Sequence, residues 1–430
     1  MKTILIAIIF ISLNSIIVSQ GVRILGPDEM RADFQQFRKI IEENQVNLYD
    51  YTPKEEMDRL FDHQYARITD SMPMNEFFKL MTPIIAKTGN GHTNIWMPGE
   101  YWRSGNDKFF PVQIRFVENM VVADGSYTET EQLPRGCIIH KVNNVPIKNI
   151  TDEMIDNYYS EGMRIHGKIV MVARRFPMIY VRRFGIPDEY TVTYSLPGKK
   201  KKITKTLEPA TEKEVRDIVF SNFDTPELKM EFIDNKKNVL LTINTLIYYD
   251  ERDYFNNFID SCFREIKKHN TKNLIINLRG NDGGDPYCAA ALFSYLEHEP
   301  LPYFKEAHRY ESLLNPVPMA ENKFSGNLIV FMDNRCFSTN GHFCSLIKYH
   351  KLATIIGTPS AGNYRCTNVQ HTNLDNSAIM VYYGTSNYST AVEMDKTQPI
   401  MPDILIEETY DDFMKGRDLY MEEAVKLLKR

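Results

Sequence analysis

The sequence predicts an α/β protein, with a mixed, mostly parallel sheet covered by helices, preceded by a helical unit and a β-rich module. From about residue 225, short continuous apolar runs alternate with longer amphipathic stretches. That is the strand–helix–strand order of a parallel sheet buried on both faces. Before residue 90 the apolar residues recur instead at three- and four-residue spacing, and from about 108 to 210 they alternate with period two. Three kinds of periodicity in three successive stretches point to three units.

The composition fits a packed chain of this kind. Of 430 residues, 43% are hydrophobic and 25% charged, which argues against wholesale disorder. At roughly 100–200 residues per domain, the length suggests about two to four units. Lys and Arg number 51 against 56 Asp and Glu, a formal charge of −5. A dedicated nucleic-acid binder needs clustered cations for phosphate, so that class is excluded.

Lys2 precedes an almost unbroken apolar run from Ile4 to Val18, followed by the polar pair Ser19-Gln20. A cation, a short apolar stretch and a polar boundary read as a secretory signal peptide over 1–20. The run is short for a bilayer span of about 20 residues. The mature chain is therefore expected to be exported, periplasmic or extracellular, with no stable membrane span. Six Cys (137, 262, 288, 336, 344, 366) are too sparse for a disulfide scaffold. Burial as small hydrophobes is the default for each, and pairings of Cys336 with Cys344 or Cys366 stay open. No CxxC or HExxH occurs, and no metal or cofactor is expected. Asn149-Ile-Thr and Asn387-Tyr-Ser are glycosylation sequons.

The elements follow in order. Asp28 opens a helix carrying Met30, Phe34, Phe37, Ile40 and Ile41; a second runs through Met57, Leu60 and Phe61. A third holds Phe77, Phe78, Leu80, Met81, Ile84 and Ile85 and stops at Gly89-Asn-Gly. Strands are expected at Phe110–Phe116, Met120–Val122 and Gly136–Val142, with a hairpin at Pro197-Gly198. Lys199 to Lys202 sit at that turn as solvated charge. Beyond 225, strands at Val239–Ile243, Leu274–Leu278, Leu328–Met332 and Ala353–Ile356 alternate with helices at Tyr254–Ile266, Tyr287–Leu296 and His342–Tyr349.

Three segments are unlike packing. Leu278-Arg-Gly-Asn-Asp-Gly-Gly follows a buried strand, at the edge where open α/β sheets bind ligands. Its glycines free backbone N–H groups for a phosphate or a developing oxyanion. Asp282 and Asp285 would repel phosphate, and no Gly-Lys-Ser/Thr follows. Arg335-Cys-Phe-Ser-Thr-Asn-Gly-His also follows a buried strand and opens a helix, so Ser338 is either an exposed nucleophile or an N-cap. His92 lies in Gly89-Asn-Gly-His-Thr, poorly placed for packing and suited to accept a proton. His342, four residues beyond Ser338, is its rival. No GxSxG occurs.

Taken in order, these segments resemble the tail-specific, C-terminal-processing serine peptidases, in the branch related to the tricorn core protease and the IRBP repeats. Gly91-His92-Thr93 is similar to that family's Gly/Asp-His-Thr motif. Leu133-Pro-Arg-Gly-Cys-Ile-Ile-His-Lys-Val-Asn-Asn-Val-Pro-Ile is similar to the signature of its PDZ-like module. Asn277-Leu-Arg-Gly-Asn-Asp-Gly-Gly is similar to its Asp-Leu-Arg-x-Asn-x-Gly-Gly, and Ser338-Thr-Asn-Gly to its Ser-Ala-x-Glu nucleophile segment. Ile356-Gly-Thr-Pro-Ser-Ala-Gly and Pro399-Ile-Met-Pro-Asp-Ile resemble the two closing motifs, so the likeness spans roughly residues 30–410.

The resemblance implies a ClpP/crotonase-like core and four segments: a signal peptide at 1–20, a helical domain at 21–95, a PDZ-like domain at 96–215 and an α/β catalytic domain at 216–430. It implies a serine-type endopeptidase or carboxyl-terminal-processing peptidase acting on a peptide or protein. Ser338 would be the nucleophile and His92 its base, with the N–H groups of Thr339 and of Gly283 or Gly284 as oxyanion hole. The chain departs from the pattern at Asn363, where one branch carries its catalytic Lys, which removes a Ser–Lys dyad. It departs again at Gly91, where the tricorn-like branch has Ser, and near Lys396, where that branch has Glu. Asp395 and Glu393 are the nearby carboxylates expected to orient His92. The alternative is an inactive relative that binds peptides or another exported ligand; paired carboxylates of a glycosidase are not singled out. The sequence assigns no oligomeric state.

Overall fold

The computed structural model describes residues 23–102, 108–221 and 227–429. The expected signal peptide at 1–20 lies outside them. Among the described residues no helix is long and apolar enough to cross a membrane.

The organising element is a six-stranded sheet in the order 228–233, 238–243, 273–277, 327–332, 354–357, 404–405. The first pair is antiparallel and the rest are parallel, which makes the fold a mixed α/β one. The two central strands explain why their sequences are apolar throughout. Leu274, Ile276, Val330 and Met332 face the helices Arg252–Lys268, Pro286–Phe293 and Ser338–Tyr349. Ile275, Ile329 and Phe331 face the other way, onto the helix Leu419–Leu428. With side chains alternating between faces, a strand covered on both sides has no polar position to spare.

The helical unit forms as its spacing predicts, with helices at Pro27–Asn44, Lys54–Ala66 and Met74–Lys87. Pro27 sits where the missing N–H costs nothing, and Glu29 accepts a hydrogen bond from the Gly26 N–H at 2.8 Å. Its core is shared with residues far along the chain, among them Leu374, Ile379 and Val381. Strand Asn94–Trp96, directly after the His92 loop, pairs antiparallel with Met380–Tyr383.

The stretch 108–210 differs from its sequence reading. An antiparallel sheet is present, with strands Val112–Val117, Met120–Ser126, Ile138–Val142, Tyr190–Ser195 and Lys202–Leu207. Between the third and fourth, however, stand helices Ile147–Asp156, Ile165–Arg174 and Phe176–Phe184. Val172, Phe176, Ile179 and Tyr180 bury one face against the sheet, a helical spacing that the flanking period-two signal masks. The short strands between 365 and 390 were also not legible. They carry three or four residues each and pair with one another, and two of them, Met380–Tyr383 and Asn387–Thr390, also join the distant strands Asn94–Trp96 and Phe304–Glu306.

Candidate active site

The site lies at the carboxyl ends of the parallel strands, where the chain leaves the sheet at Leu278 and at Asp333. Ser338 opens the helix Ser338–Tyr349 with φ +51°, a left-handed backbone uncommon for a side chain larger than hydrogen. It is not an N-cap; Phe337 occupies that position. The helix behind Ser338 is buried from Thr339 to Ile347, so its first turn cannot shift freely.

The glycine loop is shaped to meet that turn. A Cβ on Gly283 (φ +106°) would lie 2.8 Å from the Phe337 carbonyl oxygen and 2.9 Å from the Thr339 nitrogen. A Cβ on Gly284 would lie 2.1 Å from the Leu246 carbonyl carbon. Asn281 fixes the loop: its Nδ2 donates to the Ile243 carbonyl at 3.0 Å and its Oδ1 accepts from the Gly283 N–H at 2.8 Å. The Gly283 amide, one of the expected oxyanion donors, is therefore occupied. The N–H groups of Gly284 and Thr339 have no acceptor among the described residues.

His92 reaches Ser338 from 246 positions away in sequence, its Nε2 3.2 Å from Ser338 Oγ. Four contacts hold it there. Asn90 Oδ1 accepts from the His92 N–H at 2.9 Å, and the imidazole stacks on the Phe337 ring at 4.7 Å. Gly89 and Gly91 are bonded to a loop of the neighbouring module, through Gly162 N–H at 2.8 Å and Glu161 Oε2 at 3.2 Å. The glycine at 91 has a local cause: a Cβ there would lie 2.5 Å from the Phe337 ring. Burial pushes the His92 imidazole down to about 4, so the ring is neutral at pH 7 and free to take a proton.

His342 lies one turn beyond Ser338, fully buried and edge-on to Phe304 at 5.2 Å. Burial first, and His92 second, push it down to about 3. It packs and does not approach Ser338 as a base.

The two expected orienting acids are not brought to His92. Glu393 is 85% exposed at its side chain and pairs with Lys305 at 2.9 Å. Asp395 accepts from the Thr397 N–H and hydroxyl, both at 2.8 Å. His92 Nδ1 is buried with no partner among the described residues. Asn363, in place of a catalytic Lys, ties two loops by donating to the Lys396 carbonyl at 2.9 Å and accepting from the Arg365 N–H. Lys396 itself pairs with Asp50 at 3.1 Å.

Ser338, His92, Gly283 and Gly284 open into one cavity of about 610 Å³, with Trp96, Tyr158, Tyr249, Phe337, Val369 and Tyr382 on its apolar walls. Asp282 lies at its edge, held by Arg335 at 3.0 Å and Arg174 at 2.8 Å. Burial raises the Asp282 carboxyl, but the Arg335 hydrogen bond and the charges of Arg335, Arg174 and Arg175 outweigh it and leave it lowered. All six Cys are free and buried. The described residues hold no cluster of His, Cys, Asp and Glu able to bind a metal ion.

Residues 243–406, which include the glycine loop and the Ser338 helix, match the model of peptidase family S41. That segment is similar to an S41 peptidase domain. Around that domain the whole described chain has the architecture of solved relatives. Mature CPAF complexed with lactacystin superposes with a TM-score of 0.68 at 13% identity, covering 94% of this chain and 98% of that one. Mature CPAF gives 0.66 at 13%, covering 93% and 97%. A protein from Parabacteroides merdae gives 0.53 at 16%, covering 94% and 97%. At these identities the likeness establishes a shared fold. No curated protein matches the chain in sequence. The S41 match stops short of His92, so the base comes from outside the matched segment.

Proposed function

We propose that the protein is an exported serine peptidase whose nucleophile is Ser338 and whose base is His92. The observation that carries this reading is the 3.2 Å contact between Ser338 Oγ and a neutral, half-buried imidazole. His92 Nε2 takes the hydroxyl proton as Ser338 attacks a peptide carbonyl, and returns it to the leaving amine. Water then repeats the cycle on the acyl-enzyme. The developing oxyanion is held by the N–H groups of Thr339 and Gly284, which point from a helix start and a glycine turn. One such donor is worth about 2.7–4 kcal/mol of barrier. The aromatic walls favour an apolar side chain beside the scissile bond.

The same reading takes the module at 96–215 as PDZ-like. Strand Val112–Val117 is an edge strand, helix Ile165–Arg174 packs against it, and a cavity of about 880 Å³ opens beside both. An extended peptide would add to that edge through backbone hydrogen bonds. Arg174, on that helix, bonds to Asp282 in the glycine loop, which gives the groove a physical link to the oxyanion hole.

The test is covalent labelling with a serine-directed fluorophosphonate. Wild-type protein is expected to be modified at Ser338, and Ser338→Ala to lose the label while keeping its melting temperature. Folded wild-type protein that resists labelling would sink the catalytic reading and favour an inactive peptide binder.

A further inference from the structure

We infer that Glu161 is the carboxylate that positions His92 and offsets its charge, in place of the expected acids near the C-terminal motif. This inference rests on the Ser338–His92 reading. Neither Asp395 nor Glu393 bonds to His92, and Asp282, which shares the cavity, is held by two arginines. Glu161 lines the same cavity, is 6% exposed, and accepts from the N–H of Gly91, the residue directly before His92. Its loop grips the His92 loop a second time, through Gly162 N–H to the Gly89 carbonyl at 2.8 Å.

The groups facing Glu161 leave its charge available. Arg164, on its own loop, directs its hydrogen bonds to the carbonyls of Glu161, Lys396 and Gln398 and not to the carboxylate. Tyr51 and Asp50, from the segment after the first helix, and Arg365 and Cys366, from a core strand, complete the surroundings. Burial raises the Glu161 carboxyl to about 7, against the lowering effects of Arg164 and the Gly91 N–H. Glu161 thus ionises near neutral pH in the cavity that also holds an imidazole that must become cationic in the transition state. A carboxylate in that low-dielectric cavity favours the imidazolium, and its bond to Gly91 tightens once it is charged.

The test uses the full chain and follows the second-order rate of fluorophosphonate labelling of Ser338 from pH 5 to 9. The wild-type rate is expected to climb as pH rises through about 7. Glu161→Gln keeps an acceptor for the Gly91 N–H and loses the charge. Its rate is expected to be roughly 10²-fold lower at pH 8, the low end for groups that assist proton transfer. It should also lack the limb near neutrality, while Glu161→Asp recovers that limb in part. A Glu161→Gln profile identical to wild type in rate and shape overturns the inference and leaves the Ser338–His92 reading intact. Wild-type protein that is never labelled overturns both. If Glu161→Gln does not fold, ¹⁵N shifts of His92 in the wild type decide instead. A neutral imidazole whose signals move as pH crosses about 7 supports the inference, and silent signals overturn it.

Discussion

Gly283 shows how little room the residue scale leaves around Ser338. Its φ of +106° and the 2.9 Å that would separate a Cβ there from the Thr339 nitrogen leave space for hydrogen alone. An alanine there must push against the first turn of a buried helix, and the turn carries both Ser338 and the Thr339 N–H. A misplacement of about 1 Å is worth on the order of 10²-fold in rate. Gly283→Ala is therefore expected to slow labelling of Ser338 by at least that factor. Near-wild-type labelling would show that the turn yields more easily than its packing implies. Gly91 is a second case, where the Phe337 ring takes the space of a side chain and stacks on His92 instead. The aromatic platform and the glycine are one device, visible only when both are in place.

At the scale of elements, Asp285 joins the glycine loop to the helix Pro286–Phe293. It caps that helix by accepting from the Tyr287 N–H at 3.0 Å, donates its own N–H to the Leu246 carbonyl at 2.7 Å and pairs with Arg252. Asp285→Ala is expected to destabilise the protein by about 1–2 kcal/mol, the usual value of a lost cap. A denaturant midpoint unchanged at constant m-value would contradict this. Strand Asn94–Trp96 does comparable positioning on the other side. Its pairing with Met380–Tyr383 anchors the end of the His92 loop to the second half of the chain.

The whole molecule carries opposing pH dependences in its buried site. His92 and His342 ionise at about 4 and about 3 when folded, against 6.5 for the ordinary side chain. Their folded values are lowered, so the stability they lend is complete above about 6.5 and is lost as pH falls, because the unfolded chain binds protons first. Glu161 has the opposite sign. Its folded value of about 7 exceeds the ordinary 4.5, so its contribution is complete below 4.5 and is lost as pH rises toward 7. Two imidazoles outweigh one carboxyl, so for these groups the melting temperature is expected to rise with pH to about 6.5 and to level off above it. His342→Leu should flatten the acid side without touching the alkaline one. A rise between pH 5 and 6.5 no steeper in Glu161→Gln than in the wild type would show that Glu161 does not ionise as its surroundings dictate.

Much of this was legible from the chain alone. The doubly buried strands at 273–277 and 327–332, the helix spacing of Phe34, Phe37 and Ile41, and the glycine loop after Leu278 follow from local periodicity and turn chemistry. Ser338 and His92 were legible because glycine-rich turns at strand and helix ends are poor places for packing. The sequence could not choose the partners of those groups. Gly283 against Gly284 as donor depends on where the Asn281 amide points, a contact made through the sheet edge. The position of the family's Glu near Lys396 favoured Asp395 and Glu393, yet Glu161, on the loop after helix Ile147–Asp156, lies in the cavity. Periodicity is a property of neighbours along the chain, whereas a hydrogen bond or a buried charge depends on which distant segments close over it. The sequence by itself determined most of the elements and singled out Ser338 and His92; the tertiary structure decided which groups of distant segments stand beside them, because those contacts exist only once the chain has closed.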